Sequence, residues 1–289
     1  MAVLPLDNLS PDPANAYFAA GMHEEILTQL SKISGLGVFA RTTMNQYRGT
    51  DRSIFEIGRE LGAAAVLEGS VRRAGERVRI TAQLIDPETQ AHLWSESYDR
   101  RLDDVFAVQE DIARRVVENL AATLSPSEDA RISVRPTESL AAYDLYLRGR
   151  GAYFRFDAES NREAARLFEK ALDLDPEYAL AWAGLGDALA QRDGRFGYPH
   201  GETAEAAVRH AQRSIDLNPE LAEGYKALGA AQYKLGRREQ ALAAFQKAVQ
   251  FDPNNYEAWN GIATVNYNLG RFDESVRTSR NAARLAPNE

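Results

Sequence analysis

The chain of 289 residues carries a net charge of −8, with 44% hydrophobic and 26% charged residues; that balance suits about two folded domains and argues against wholesale disorder. Neither half has a cationic excess, so nucleic acid and an anionic membrane surface are poor partners for it. There is no cysteine, which removes disulfides, thiolate metal sites and thiol nucleophiles together and suits a reducing, cytoplasmic setting.

Ala2-Val3-Leu4-Pro5-Leu6 reads as a strand that begins at once, with no basic and apolar leader before it. No secretory signal is expected, and the chain is expected to be a fragment of a longer protein. Residues 8–13, rich in Asn, Ser, Asp and Pro, read as a turn. Phe18, Met22, Ile26, Leu30 and Ile33 then fall on one helical stripe, ended by Gly35 and Gly37. Val38-Phe39-Ala40 reads as a second strand. Ser53 caps a helix carrying Ile54, Ile57 and Leu61 and stopped by Gly62.

Three further strands are predicted over 64–73, 76–86 and 92–98. In the middle one Val78, Ile80, Ala82 and Leu84 alternate with polar residues, so one face is buried and one wet. Asp86-Pro87 supplies the turn that follows. Val105, Val108, Ile112, Val116, Leu120 and Leu124 stripe a long helix. The predicted order over 1–124 is β-α-β-α-β-β-β-α: an α/β domain with a mixed sheet, its first three strands roughly parallel and its last two antiparallel. Residues 125–139 read as a linker. No apolar run in the chain reaches the roughly 18 residues that a membrane-spanning helix needs.

From residue 140 the sequence repeats. Pro176, Pro219, Pro253 and Pro287 each close a helical stretch, and the last three recur at a 34-residue period. The first interval is longer by an insertion over 192–203. Small and aromatic residues recur in phase: Tyr225, Gly229, Ala241, Phe245 and Ala248 in one unit, Trp259, Ala263, Ser275 and Ala282 in the next. Residues 140–289 therefore resemble tetratricopeptide repeats, four helical hairpins over 140–176, 177–219, 220–253 and 254–289. Such a solenoid is all-α, and its terminal hairpin exposes an apolar edge, here including Val276, unless something caps it. The insertion reads as a loop. Its Phe196, Tyr198 and His200 leave open a contact role beside that of a tolerated surface insertion.

The first half carries a second resemblance. Residues 2–12 (Ala-Val-Leu-Pro-Leu-Asp-Asn-Leu-Ser-Pro-Asp), Ala40-Arg41-Thr42-Thr43, Leu67-Glu68-Gly69-Ser70-Val71-Arg72-Arg73 and Ala82-Gln83-Leu84-Ile85-Asp86, with His92-Leu93-Trp94, are similar to the TolB amino-terminal-like (FlgO-like) α/β domain. That resemblance implies a signalling protein in which such a domain sits between an output domain, a class III adenylate/guanylate cyclase or a winged helix, and tetratricopeptide repeats. None of the residues present belongs to a cyclase catalytic site.

Motifs for chemistry are sparse. His23-Glu24-Glu25 lacks a second histidine one turn on, where Leu27 stands, which excludes the zincin pattern. Neither a G-x-S-x-G elbow nor a P-loop occurs. Asp99, Asp103 and Asp104 could hold a cation, or cap the helix that starts at Val105. Arg41, Arg72, Arg73, Arg77 and Arg79 either converge as an anion pocket or cover a solvated sheet face. No enzyme, cofactor or metal is expected.

The predicted functional surface is the face formed by the first helix of each repeat, a groove for an extended or helical peptide. Its lining is expected at Glu223, Lys226, Ala230, Tyr233 and Lys234, continued by Glu257, Asn260, Thr264, Tyr267 and Asn268 and preceded by Leu180, Ala183, Asp187 and Gln191. Solvated polar residues explain the same pattern. Ala230 stands where tetratricopeptide co-chaperones place an asparagine for a partner's terminal carboxylate, which puts that use in doubt. The reading is a non-enzymatic scaffold that binds a peptide or protein in the repeat groove and forms a homodimer through its α/β domain, since an unpaired edge strand can join two sheets. The alternative is an α/β domain that senses a small anion or nucleotide.

Overall fold

The computed structural model describes residues 1–287 and divides into two compact units: Met1–Arg135 with the residues from Ala283 on, and Pro136–Ala282.

In the first unit five strands form a mixed sheet: β1 (Ala2–Val3), β2 (Asp7–Asn8), β3 (Val66–Ala74), β4 (Arg77–Ile85) and β5 (His92–Arg101). β1 and β2 lie parallel to β3 through the pairs Ala2↔Val66 and Asp7↔Ser70, and β3, β4 and β5 follow as an antiparallel meander. The mixed sheet agrees with the expected fold class, but its second strand differs. Residues 38–40 form no ladder; Phe39 N–H donates to the Met1 carbonyl at 3.1 Å and Ala40 N–H to the Leu285 carbonyl at 2.7 Å. Between β1 and β2 stands Pro5, which has no N–H to give a ladder. The opening segment is thus interrupted and supplies two short strands to β3.

Five helices complete this unit. α1 (Ala16–Ser31) and α4 (Val105–Asn119) pack on each other and on the sheet. The α1 stripe of Phe18, Met22, Ile26 and Leu30 is buried, and so are His23, Glu24 and Glu25, which the stripe alone would leave in water. α2 (Arg41–Asn45) and α3 (Ile54–Leu61) bring Met44, Tyr47, Ile57 and Leu61 onto Ala2, Leu4 and Val66. α3 begins with the Ser53–Glu56 capping box and stops at Gly62 in the left-handed region.

The predicted linker contains α5 (Pro126–Ile132), opened by a second capping box between Ser125 and Glu128. Glu128 Oε1 also accepts the backbone N–H of Ser34 at 2.7 Å, and Ile132 is buried. Residues 125–132 are therefore a packed part of the first unit. At seven residues α5 is too short to show an apolar stripe.

Four helical hairpins follow, all but the last residues of α13 within the second unit: α6 (Leu140–Tyr153) with α7 (Ala158–Leu174), α8 (Ala179–Arg192) with α9 (Ala204–Leu217), α10 (Ala222–Lys234) with α11 (Arg238–Phe251), and α12 (Tyr256–Asn268) with α13 (Phe272–Leu285). The phase of the sequence repeats reappears as repeated bonds. Trp182 Nε1, Tyr225 OH and Trp259 Nε1 each donate to the carbonyl of the proline six residues back, Pro176, Pro219 and Pro253, at 2.9, 3.0 and 2.9 Å. The Phe168 ring lies between Gly149 and Gly184, and the Phe245 ring between Gly229 and Gly261; a Cβ at any of the four glycines would come within 2.8 Å of a ring atom. Small residues here let neighbouring hairpins close on an aromatic ring, which is how the stack becomes a continuous core.

Candidate functional site

The first helices α6, α8, α10 and α12 neighbour one another in that order, and a line of charges of alternating sign runs across them. Arg150 Nη1 on α6 lies 3.9 Å from Asp187 Oδ2 on α8, which lies 2.5 Å from Lys226 Nζ on α10, which in turn donates to Glu257 Oε2 on α12 at 2.8 Å. Lys226 is only 5% exposed. Burial alone would lower its ammonium, but the carboxylates of Asp187 and Glu257 outweigh that and raise it. Lys226 therefore does not line an open groove. An open lining position is expected there, but α12 covers it and Asp187 holds the side chain inward.

The other expected lining residues follow the same gradient. In the second repeat Leu180, Ala183, Asp187 and Gln191 are all buried, and Gln191 Oε1 accepts from Asn161 Nδ2 at 2.8 Å. In the third, Glu223, Ala230, Tyr233 and Lys234 are half-buried, and Lys234 donates to the Asp193 carbonyl at 2.8 Å. In the fourth, Glu257, Asn260, Thr264, Tyr267 and Asn268 are all exposed, and Asn268 Nδ2 donates to Tyr233 OH at 3.0 Å. Equivalent positions thus pass from covered to open along the array, because each first helix covers the preceding one. The open surface is the α12 face. It continues onto α13 through Phe272 and Val276, 60% and 53% exposed, beside Tyr267 at 64%. The Tyr267 and Phe272 rings meet edge-on, centroids 5.5 Å apart. The exposed Val276 is as expected.

The arginines of the first unit do not converge. Arg72 pairs across the ladder with Arg79, whereas Arg73 pairs with Val78 on the opposite face, because side chains alternate along a strand. Arg73 instead donates to Tyr17 OH at 2.9 Å and lies over the Phe18 ring. Arg77 and Arg79 clamp Asp99 at 2.5 and 2.8 Å and hold its carboxyl below its usual range. Arg41 stands on α2 beside Glu24 at 3.8 Å. The expected anion pocket is therefore corrected to three separate placements, two of them with acidic partners. Asp103 pairs with Arg101 in the turn before α4 rather than joining Asp99.

The comparisons divide the chain along the same lines. Tetratricopeptide-repeat family models match residues 151–222, 222–255 and 244–277, and the helical hairpins are tetratricopeptide repeats, a fold that generally carries no catalysis. A model described as the second domain of HilA/YgeH-like transcriptional regulators matches residues 1–115; the TolB-like resemblance is not what this match describes. A curated relative from Rhizobium meliloti (strain 1021), named “Putative adenylate cyclase 3”, is 48% identical over 185 residues, 64% of this chain and 32% of the relative. The match thus spans about a third of that relative's length. Solved structures similar to the chain include the first tetratricopeptide domain of human RPAP3 (21% identity, 47% of this chain and 97% of that one, TM-score 0.38). MamA from Desulfovibrio magneticus RS-1 is another (18%, 65% and 97%, TM-score 0.39). Among the described residues no helix is long and apolar enough to cross a membrane.

Proposed function

We propose that this chain is a non-catalytic interaction module of a cytoplasmic signalling protein, one that carries a cyclase or a transcription-regulating output domain. The relative's name and the regulator-domain match support that setting. The repeats would bind a protein or peptide, and the α/β unit would bring two copies together; class III cyclases, which need two catalytic domains side by side, give that pairing a use.

The single observation behind the repeat surface is the open α12 face. At the equivalent positions one repeat earlier, α10 receives the next first helix, α12, over Lys226 and Ala230. By that symmetry, Asn260, Thr264 and Tyr267 present a seat shaped for a helix, offering aromatic area beside amide and hydroxyl groups. Glu257 and the committed Lys226 make the seat acidic to neutral, so the partner segment would be neutral or basic rather than a terminal carboxylate.

A photo-crosslinking residue placed at Tyr267, with a control at the exposed Arg166, tests this. Expected is a protein captured at 267 and not at 166, whose purified form binds at least tenfold more weakly to Asn260→Ala/Tyr267→Ala. Equal capture at both positions, or unchanged affinity in the folded double variant, would reject the seat.

A further inference from the structure

The sheet of the first unit ends at β5, which pairs with β4 on one side; among the described residues no strand pairs its other edge. β5 is ten residues long, and the ladder runs without irregularity from Trp94↔Leu84 to Arg101↔Arg77, its one register shift falling before Trp94. A straight, open edge of this length is a template for another strand unless its side chains forbid it.

Those side chains rule out several arrangements and favour one. Two copies joined edge to edge about a two-fold axis must run antiparallel, and one residue must sit opposite itself so that both sheets keep their helices on the same side. Centring on Glu96, Asp99 or Arg100 sets like charges about 5 Å apart, which is destabilising. Centring on Ser97 pairs no charges. Centring on Tyr98 places Glu96 of each copy opposite Arg100 of the other, Ser97 opposite Asp99, and Trp94 opposite Leu102.

The two charges that this register uses are also the two on β5 that form no ion pair within the chain. Asp99 is held by Arg77 and Arg79, Arg101 reaches Asp103 and Glu76, and Ser97 bonds Thr81. Glu96 and Arg100 are exposed and make no ion pair within 4 Å among the described residues, Glu96 acting on Arg115 of α4 only from farther off; Arg100 donates only to the backbone carbonyl of Asp99, at 3.1 Å. They stand two residues to either side of Tyr98, too far along an extended strand to meet each other.

We propose that β5 is a self-association strand: two copies of this chain join through their β5 edges in the register centred on Tyr98, with the Glu96 carboxylate of each paired to the Arg100 guanidinium of the other. This rests on the proposed self-association and assigns it a surface. The sheet would become continuous, β4-β5-β5-β4.

Sedimentation equilibrium on the whole chain, from about one to a hundred micromolar, tests it with four samples besides the native chain. Glu96→Arg sets four positive charges at the seam and Arg100→Glu four negative ones. Each alone should weaken the dimer at least tenfold. An equimolar mixture of the two should dimerise again, because each copy then supplies what the other needs, and the charge-swapped double variant should recover the native affinity. A native chain that stays monomeric throughout would overturn both this proposal and the self-association reading. A native dimer that survives both single variants undiminished would overturn the β5 seam alone. Both substitutions are at exposed positions and leave the core untouched, and circular dichroism checks that the fold persists.

Discussion

Lys226 Nζ lies 2.5 Å from Asp187 Oδ2, and both side chains are almost wholly out of water. Glu257, the second partner of Lys226, keeps 44% of its side chain exposed. These two halves of one ion cluster should behave differently. Removing Lys226 strands a buried carboxylate, which typically costs about 3–5 kcal/mol. Glu257→Gln loses a largely solvated contact, worth about 1 kcal/mol or less. Lys226→Met is therefore expected to destabilise the repeats severely, and Lys226→Met/Asp187→Leu to recover most of the loss. Urea unfolding of the three variants checks the order. A double variant no better than Lys226→Met would mean that packing, not the stranded charge, sets the cost.

The glycines around the two buried phenylalanines give a second expectation. Gly184 and Gly229 would bring a Cβ to 2.8 and 2.7 Å of Phe168 and Phe245, whereas a Cβ at Gly151, also within a helix, meets nothing within 4 Å. Alanine is the better helix former by about 1 kcal/mol, so the outcome depends on which term wins. At Gly151 the helix term is unopposed, and Gly151→Ala should stabilise by about 0.5–1 kcal/mol. At Gly184 and Gly229 overpacking against a ring wedged from both sides should win, with a net loss of about 1–3 kcal/mol. Opposite signs in the urea midpoints are the check; the same sign at all three positions would refute the wedge account.

The repeat half was legible because a solenoid writes the same contact many times. Each proline, the aromatic six residues on and the small residues between them recur, so periodicity alone located the hairpins. The α/β half carries no such redundancy. There, alternation found β4 correctly but was not applied to Arg72 and Arg73, whose adjacency already placed them on opposite faces. The charge line from Arg150 to Glu257 joins residues on four helices at staggered heights, and no local pattern announces it. The signal available was the alternation of sign from one first helix to the next. Exposure along the groove was unreadable from any single repeat, because it depends on whether another helix lies over that repeat.

His23 gives the chain a pH dependence. It is fully buried, its Nε2 lies 2.8 Å from the Val3 carbonyl, and burial, only partly offset by that bond, lowers its pKa to about 4. An unfolded histidine titrates near 6.5. Between those values the unfolded chain binds a proton that the folded chain refuses, so stability falls as pH drops from about 6.5 toward 4 and returns as it rises. The full shift corresponds to about 3 kcal/mol at most. Glu128 adds a separate loss further down. Burial opposes its ionised form, but bonds from Ser125 and Ser34 outweigh it and bring its carboxyl down to about 2, so its contribution disappears only below the ordinary carboxylate range. Unfolding free energies at pH 7, 6 and 5 should drop for the native chain and stay nearly level for His23→Gln. A His23→Gln variant with the native slope would assign the dependence elsewhere.

Asp193 decides the state of the insertion between α8 and α9. Its side chain is completely buried and accepts the backbone N–H groups of Gly201, Thr203 and Ala204 at 3.0, 3.2 and 3.2 Å. Burial alone would raise the carboxyl; these three donors outweigh it and hold the group below its usual range. One carboxylate thus closes the loop onto the start of α9, while Arg192 lies over the Tyr198 ring. Asp193→Ala leaves three amides without an acceptor, and an unsatisfied buried polar group costs about 1–3 kcal/mol. Much of that should appear as local opening, because this carboxylate is what closes the loop onto the start of α9. Limited proteolysis under native conditions should cut Asp193→Ala within 194–203 at least tenfold faster than the native chain. Asp193→Asn, which keeps one acceptor oxygen, should fall between them. Equal cutting rates in all three proteins would show that the loop is held by its packing and not by the carboxylate.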